Sequence, residues 1–261
     1  MKNSALTQRM KENYEMRARS YLTRRTPVII RLDGCHFHTF TKGFNKPFDK
    51  ILNKTMQDTA EYLCKNIQGC KYAYTQSDEI SLLLIDYDTF DTDAWFDYQI
   101  QKICSVSASL ATLAFNKFYS ENIAEYTDST DEFKKYAKKI STAYFDSRCF
   151  NIPKEEVVNY FVDREKDAIR NSKASLAQSK FSQKELMNKS ADEMIEMVKT
   201  KFGIDWNDFD GEQKWGTHIY KVNSSTIGRK VWLADTNPTQ FIDKSKREEI
   251  EKLLEVNLWL S

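Results

Sequence analysis

The chain has 261 residues, 41% of them hydrophobic, and a formal net charge of +1. This length is enough for one large domain or two small ones with a sizeable core. The near-neutral charge does not indicate a nucleic-acid partner, and no apolar stretch approaches the about 20 residues that span a bilayer. The start lacks the apolar segment of a secretion signal, and the five cysteines show no Cys-x-x-Cys spacing. We therefore expect a reduced, cytoplasmic protein without membrane association.

In the first half, the spacing of apolar residues predicts a helical arm and then two helices among four strands. In chain order these are the arm at 4–22, a strand at 26–33, a helix at 47–67, strands at 71–76 and 79–86, a helix at 95–118 and a strand at 143–150. The polar, acidic residues 120–135 are interpreted as a loop or a variable insertion. The order β-α-β-β-α-β is that of the α+β, ferredoxin-like fold, in which the first strand lies beside the hairpin strands.

The second half is predicted to be mainly helical. We expect helices at 155–173, 182–202 and 244–258, and a hairpin of strands 217–222 and 229–234 joined by the loop Asn223–Gly228. We accordingly divide the chain into a catalytic core at 1–150, which includes the arm, and a mainly helical region at 151–261 that packs on the core.

Two groups of acidic residues lie where apolar runs end. Asp33 and Gly34 close the first predicted strand, and Asp78 and Glu79 lie at the predicted hairpin tip. An unpaired charge at the end of a buried strand is costly to desolvate, so a cation must compensate it. Taken alone, Asp33 is better explained as a turn residue, and Asp78 and Glu79 are equally well explained as the polar tip of a hairpin. Because the topology brings both to one edge of the sheet, we favour a Mg²⁺ site formed by Asp33, Asp78 and the Gly34 carbonyl, with strand alternation turning Glu79 away from Asp78.

The residues after Asp33 form a loop with several backbone N–H groups ahead of a helix. Such a loop can hold phosphates, and Lys42 and Lys46 can neutralise them, although a solvated basic loop is the alternative. His38 is interpreted as a packing residue or a hydrogen-bond partner of phosphate, because further soft ligands for zinc are missing nearby.

Two segments are locally basic. Residues 1–25 carry seven Lys or Arg against two Glu, and residues 164–189 carry seven against three acids. Such clusters suit a polyanion, although a solvated helix face is the commoner meaning of a charge run.

Four segments of the first half form a joint pattern. They are Arg31-Leu32-Asp33-Gly34-x-x-Phe37-His38-x-Phe40, Lys46-Pro47-Phe48-Asp49, Tyr74-Thr75-Gln76-Ser77-Asp78-Glu79 and Phe145-Asp146-Ser147-Arg148. This pattern resembles the tRNA-His guanylyltransferase superfamily, whose members add nucleotides in the 3′-to-5′ direction. The resemblance covers roughly residues 8–240.

The resemblance implies the palm fold of template-dependent polymerases and nucleotidyl cyclases. It implies two Mg²⁺ ions on Asp33, Asp78 and the Gly34 carbonyl, with Glu79 as an adjacent catalytic residue. ATP, GTP and other nucleoside triphosphates are the implied substrates, held near Phe37, His38, Lys46 and Ser77. The implied partner is tRNA, and members of the family are often homo-oligomers, including tetramers.

The second half distinguishes two branches of the family. Ile169 stands where the eukaryotic tRNA-His enzymes carry a histidine, whereas residues 167–172 and 181–186 resemble the guanylyltransferase-like branch. That branch is associated with template-dependent repair of truncated tRNA 5′ ends, after ATP activates a 5′-monophosphate. The candidates for RNA contacts are Arg164, Arg170, Asn171, Lys173, Lys180 and Lys184.

Three other functions stay open at the level of sequence. The first is a tRNA-His guanylyltransferase that adds a single G. The second is a nucleotidyl cyclase, because Ser77-Asp78-Glu79 resembles the hairpin of cyclic-dinucleotide synthases, but the chain lacks their glycine pair. The third is a catalytically inactive RNA-binding module.

Overall fold

A single antiparallel sheet of six strands organises the chain. The computed structural model describes residues 4–127, 129–226 and 228–255. The strands are β1 (Val28–Gly34), β2 (Cys70–Gln76), β3 (Glu79–Leu84), β4 (Phe145–Asn151), β5 (Thr217–Ser224) and β6 (Arg229–Asp235). Their order in the sheet is β4-β1-β3-β2-β5-β6. The first four strands therefore have the predicted ferredoxin-like order, and the predicted C-terminal hairpin extends the same sheet beyond β2.

Ten α-helices accompany the sheet in the described ranges. They are α1 (Ala5–Met10), α2 (Phe37–Phe40), α3 (Lys50–Asn66), α4 (Ile100–Tyr126), α5 (Thr130–Ala137), α6 (Lys154–Gln178), α7 (Gln183–Leu186), α8 (Ala191–Phe202), α9 (Gly211–Lys214) and α10 (Lys244–Leu254). None of the helices described is long and apolar enough for a bilayer crossing. All five cysteines are free thiols.

Alternation along β1 separates two hydrophobic cores. Val28, Ile30 and Leu32 belong to the core that α3 and α4 cover. Ile29 belongs to the core on the opposite face, where Phe161 of α6 and residues of α10 pack. Because side chains two positions apart share a face, Asp33 lies on the face of Ile29, which is the α6 side of the sheet.

The prediction of a loop at 120–135 is wrong. Helix α4 runs on to Tyr126, and α5 follows after a short break. Ser129 caps α5 by accepting the N–H of Glu132, and Tyr136 from this helix is completely buried. The high proportion of polar residues concealed a capped amphipathic helix, because only one of its faces packs. The start of α4 is also later than predicted, since residues 95–98 form a short 3₁₀ segment.

The ends of several other helices also differ from the predictions. The helix predicted at 182–202 is two helices, because Ser182 and Ser190 each begin a separate capping box. Helix α6 continues to Gln178, beyond the predicted end at 173. In the arm, α1 is followed by a π-helical segment at Lys11–Glu15. The final helix ends at Leu254, and residues 256–258 of the predicted helix lie outside the described residues.

Candidate active site

The two groups of acids meet, as predicted, at the end of the sheet where β1 stops and the β2–β3 hairpin turns. We call this end of the sheet the edge. In the pairing of β1 with β3, Asp33 is opposite Glu79. The N–H of Gly34 donates to the carbonyl oxygen of Asp78 at 3.0 Å, which joins the end of β1 to the hairpin tip. Antiparallel register therefore brings together carboxylates that are far apart in sequence.

Asp33 has two guanidinium groups beside it. Its Oδ2 lies 3.0 Å from Nη2 of Arg148 on β4 and 3.3 Å from Nε of Arg31 on its own strand. Arg148 also pairs with Asp146 at 3.2 Å. The side chain of Asp33 keeps 30% of its surface exposed, so its carboxylate remains accessible from solvent.

The environment of Asp78 opposes its negative charge. Burial raises the pKa of the Asp78 carboxyl above its usual value, and the nearby charge of Asp33 raises it further. The Ser77 hydroxyl donates to Asp78 Oδ1 at 3.1 Å and opposes that rise. Two carboxylates that repel each other in a partly buried place are stabilised by a cation between them.

Glu79 has a different environment from the other two acids. Its Oε2 lies 3.4 Å from Nη1 of Arg164 on α6, and its Oε1 accepts a hydrogen bond from Ser81 at 3.3 Å. Burial raises the pKa of Glu79, Asp33 adds to the rise and Arg164 opposes it. Glu79 is therefore held towards α6, on the same face of the sheet as its partner in register, Asp33.

The oxygen atoms at the edge suit Mg²⁺ better than a softer metal. The part of the chain that is described contains no group of three or more His, Cys, Asp or Glu arranged to hold a metal. Mg²⁺ often binds through one or two carboxylates and completes its shell with water and substrate phosphates. Asp33, Asp78 and the Gly34 carbonyl fit that use, and any cation there would share Asp33 with Arg31 and Arg148.

A cavity of about 500 Å³ opens beside the acids. Its lining includes Gly34 and Asp78 together with all four predicted nucleotide-binding residues, Phe37, His38, Lys46 and Ser77. Lys42 lies outside this lining. Glycine is required at position 34, because a Cβ there would lie 2.3 Å from the Phe37 ring.

The loop that follows β1 forms one wall of the cavity. Phe37 is itself a core residue whose ring packs on Phe115 and Phe145, so it anchors this wall. His38 and Lys46 are exposed on it. On the far side, the hydroxyl of Ser175 on α6 donates to the carbonyl of Pro47 at 3.0 Å.

A smaller crevice of about 130 Å³ adjoins the cavity, and both are lined by Pro47, Asp49, Leu52, Ser77 and Ser175. Asn171 of α6, Gln76 and Lys214 also line the crevice. Of the six predicted RNA-contacting residues, Asn171 is the one that lines this crevice.

The other predicted RNA-contacting residues have varied environments. Arg164 pairs with Glu79 and also with Asp163 and Asp167, and its side chain is only 16% exposed. Lys173 pairs with Asp192 at 2.6 Å and lies on the opposite side of α6 from Asn171 by helical phase. Arg170 is exposed and pairs with Asp167. Lys180 and Lys184 are exposed and follow the C-terminal end of α6 in the chain.

Sequence reasoning assigned no role to Arg31, Arg148 or Ser175. The first two had a signal, because Arg31-x-Asp33 and Asp146-x-Arg148 place opposite charges on one face of adjacent strands. Ser175 had none, because its approach to Pro47 depends on how α6 crosses the sheet.

A palm-like sheet with acids beside a cavity of about 500 Å³ is the arrangement expected of a nucleotidyltransferase. The family described as tRNAHis guanylyltransferase matches residues 7–153, and the chain belongs to this family. The match extends over more than half of the sequence and includes both groups of acids.

Solved structures agree over nearly the whole chain. It is 40% identical to a bacterial tRNA(His) guanylyltransferase-like protein in complex with ATP, with 97% of this chain and 100% of that chain covered and a TM-score of 0.84. For such a protein in complex with GTP, the identity is 38%, the coverage is the same and the TM-score is 0.76. The palm fold expected from sequence is therefore confirmed.

Curated relatives are more distant. An uncharacterised protein of Acanthamoeba polyphaga mimivirus is 27% identical over 202 residues, which are 74% of this chain and 69% of that protein. The tRNA(His) guanylyltransferase 2 of Arabidopsis thaliana is 25% identical over 211 residues, which are 76% of this chain but only 36% of that protein. The chain thus spans about a third of the length of the plant enzyme.

Proposed function

We propose that the protein adds nucleotides in the 3′-to-5′ direction to the 5′ end of truncated tRNA, with an RNA template base selecting each one. The observation that carries the proposal is the meeting of Asp33, Gly34 and Asp78 beside the cavity lined by His38, Lys46 and Ser77. The likeness to guanylyltransferase-like proteins in complex with ATP and GTP supports it.

The proposed reaction has two in-line phosphoryl transfers. In the first, an oxygen of the tRNA 5′-monophosphate attacks the α-phosphorus of ATP and pyrophosphate leaves. In the second, the 3′-hydroxyl of the incoming nucleoside triphosphate attacks the activated 5′-phosphorus and AMP leaves. The added nucleotide keeps its own triphosphate, so another addition follows when a template base remains.

The residues of the cavity have proposed roles that follow from their positions. Lys46 neutralises and orients the triphosphate, and His38 and Ser77 donate hydrogen bonds to it. Asp33, Asp78 and the Gly34 carbonyl would hold two Mg²⁺ ions. When bound, those ions supply charge neutralisation and lower the pKa of the attacking hydroxyl. Glu79, held by Arg164, keeps negative charge next to this site without lining the cavity.

The region 151–261 is proposed to contact tRNA, with Asn171 and Arg170 nearest the reacting 5′ end. Lys180 and Lys184 would follow the RNA away from the cavity, and phosphate contacts of this kind make affinity fall steeply with salt. A homo-oligomer, for which the family expectation is a tetramer, is part of the same proposal.

A second candidate is the addition of a single G to tRNA-His. It is favoured by the function named for the matching family and for the plant relative. The two activities share the site and differ in the RNA substrate and in how many nucleotides are added.

One experiment separates the candidates. The protein is incubated with Mg²⁺, ATP and GTP and with either 5′-truncated tRNAs or intact tRNA-His, and product lengths are resolved. Template-matched extension of truncated tRNAs supports the repair activity, whereas one added G on tRNA-His alone supports the second candidate. Product formed from nucleoside triphosphates without RNA would contradict both and indicate a cyclase, and no pyrophosphate with any RNA would indicate an inactive RNA-binding module.

A further inference from the structure

The segment 130–139, which contains α5, contacts the cavity wall through three polar side chains. The hydroxyl of Tyr136 donates to Asp49 Oδ2 at 2.6 Å. Lys135 Nζ donates to Asn45 Oδ1 at 2.9 Å, and Lys139 Nζ donates to the Thr39 carbonyl at 3.0 Å. We call residues 37–49, which receive these three bonds, the cavity loop.

Asp49 is the buried centre of these contacts. It is 5% exposed, and its two oxygens accept the N–H of Asn45 at 2.9 Å, the N–H of Leu52 at 3.0 Å and the Tyr136 hydroxyl. A buried carboxylate needs such donors, because each unmet bond costs free energy. Tyr136 is the donor that comes from outside the cavity loop and the helix it precedes.

Tyr136 itself is firmly held. It has no exposed surface, its ring centroid lies 4.8 Å from that of Phe44, and its backbone carbonyl accepts the hydroxyl of Tyr119 at 3.1 Å. Its hydroxyl is therefore delivered to Asp49 by a rigid part of the core.

Lys46 lies between two anchored neighbours in the cavity loop. Asn45 is bonded through its backbone to Asp49 and through its side chain to Lys135. Pro47 is bonded through its carbonyl to Ser175 of α6. The stretch that carries Lys46 has no helix or strand of its own, so these contacts determine its position.

We propose that Tyr136 is a positioning residue, which fixes the cavity loop through Asp49 so that Lys46 and His38 meet a nucleoside triphosphate without further ordering. This inference rests on the proposed function, because it concerns the substrate of that site. A loop that is ordered before binding spares the ligand the entropy of ordering it. The benefit applies to ground state and transition state alike, so its loss raises KM and leaves kcat nearly unchanged.

The test is Tyr136→Phe, which removes the hydroxyl and keeps the ring on Phe44. We expect Kd for ATP, measured by calorimetry without RNA, and KM for ATP in 5′-adenylylation to rise about threefold to tenfold, with kcat within about twofold. Hydrogen exchange of peptides covering 37–49 should become faster.

The matched control is Tyr220→Phe. It removes another tyrosine hydroxyl that donates to an aspartate, Asp235 at 3.1 Å, on the β5–β6 hairpin. This control should leave the ATP constants and exchange of the cavity loop as in the parent protein. Lys139→Met, which removes the bond to Thr39 at the surface, should act in the same direction as Tyr136→Phe and serves if that variant folds poorly.

Three results would overturn the inference. Unchanged ATP constants in both Tyr136→Phe and Lys139→Met would show that α5 does not position the loop. A fall in kcat and thermal stability with KM unchanged would show a general structural role. If the parent protein bound no nucleoside triphosphate, the proposed function would fail and this inference with it, whereas the first two results leave the proposed function intact.

Discussion

The sheet edge and helix α6 face the same cavity, but they hold their polar side chains by different means. At the edge, the backbone ladder sets the positions of Asp33 and Glu79, which are opposite each other in register. On α6, the surrounding side chains determine which residues remain accessible. Arg164 pairs with three carboxylates, whereas Ser175 and Asn171 line the cavity or its crevice. The predicted basic segment 164–189 therefore contains, within three turns of helix, both an arginine held by ion pairs and polar side chains that line the cavity or its crevice.

This difference matters for interpreting charge. A lysine or arginine in a basic run is free to meet RNA only when its own protein has not neutralised it. The same question applies to the acids of the edge: Arg31 and Arg148 already pair with Asp33, whereas burial raises the pKa of Asp78.

The largest expected effect is at the edge. Asp33→Asn and Asp78→Asn should each lower turnover about a thousandfold, because several kcal/mol of charge stabilisation in the transition state are lost. RNA affinity should change little. Asp235→Asn on β6 is the control. Labelled truncated tRNA measures turnover, and near-normal rates in either edge variant would contradict the metal assignment.

Within the cavity loop, substitutions of two lysines are expected to have different effects on KM for the triphosphate. Lys46 lines the cavity and Lys42 does not. Lys46→Ala should raise KM for the triphosphate about tenfold to a hundredfold, the usual range for a charged hydrogen bond, whereas Lys42→Ala should not. Equal effects of the two variants would mean that the loop acts as a general basic surface.

On α6, two arginines separate stability from binding. Arg164→Gln leaves Glu79 buried without its guanidinium, so we expect the free energy of unfolding to fall by about 2–3 kcal/mol. Arg170→Gln should leave stability unchanged and reduce RNA affinity at low salt. Chemical denaturation and filter binding measure the two effects. A reversed pattern would show that the ion pairs of Arg164 are dispensable.

An effect of pH on stability is expected in the core beneath the site. Glu165 on α6 is buried, accepts the N–H of Phe241 and lies 4.0 Å from Nε2 of buried His218, and burial raises its pKa to about 7. Burial also lowers the pKa of His218, with Lys246 adding to the shift. Since the folded pKa of Glu165 is raised, the contribution of this group to stability is fully present below about pH 4.5 and is lost as pH rises through 7.

Glu165→Gln removes that titration. The variant should be more stable than the parent by about 3 kcal/mol at pH 8, and the difference should nearly vanish at pH 4.5. Urea denaturation across this pH range measures it. A parent protein whose stability relative to the variant does not fall between pH 5 and pH 8 would contradict the raised pKa.

Much of the sheet and its edge was predictable from sequence. Alternating and continuous apolar runs identified all six strands, and short connections identified both hairpins. The failures were at residues 120–135, where polar composition hid the capped helix α5, and at 182–202, where two capping boxes interrupt one apparent helix. Composition averages over faces, whereas caps act at single positions.

The candidate site divides in the same way. Phe37, His38, Lys46 and Ser77 were grouped by resemblance, and all four line one cavity with Gly34 and Asp78. The pairing of Arg164 with Glu79, 85 residues away, was not predictable, because it depends on the path of α6 across the sheet. The division into a core at 1–150 and a helical region stays a prediction.

By itself, the sequence determined the order of the six strands and the convergence of two acids, because strand alternation and antiparallel register follow from local patterns. Only the tertiary structure decided which charges are neutralised and what anchors the cavity loop. Tyr136 reaches Asp49 across 87 residues of chain, and such contacts depend on how packed helices cross the sheet. No local pattern encodes that crossing, since it results from the shapes of all the packed side chains together.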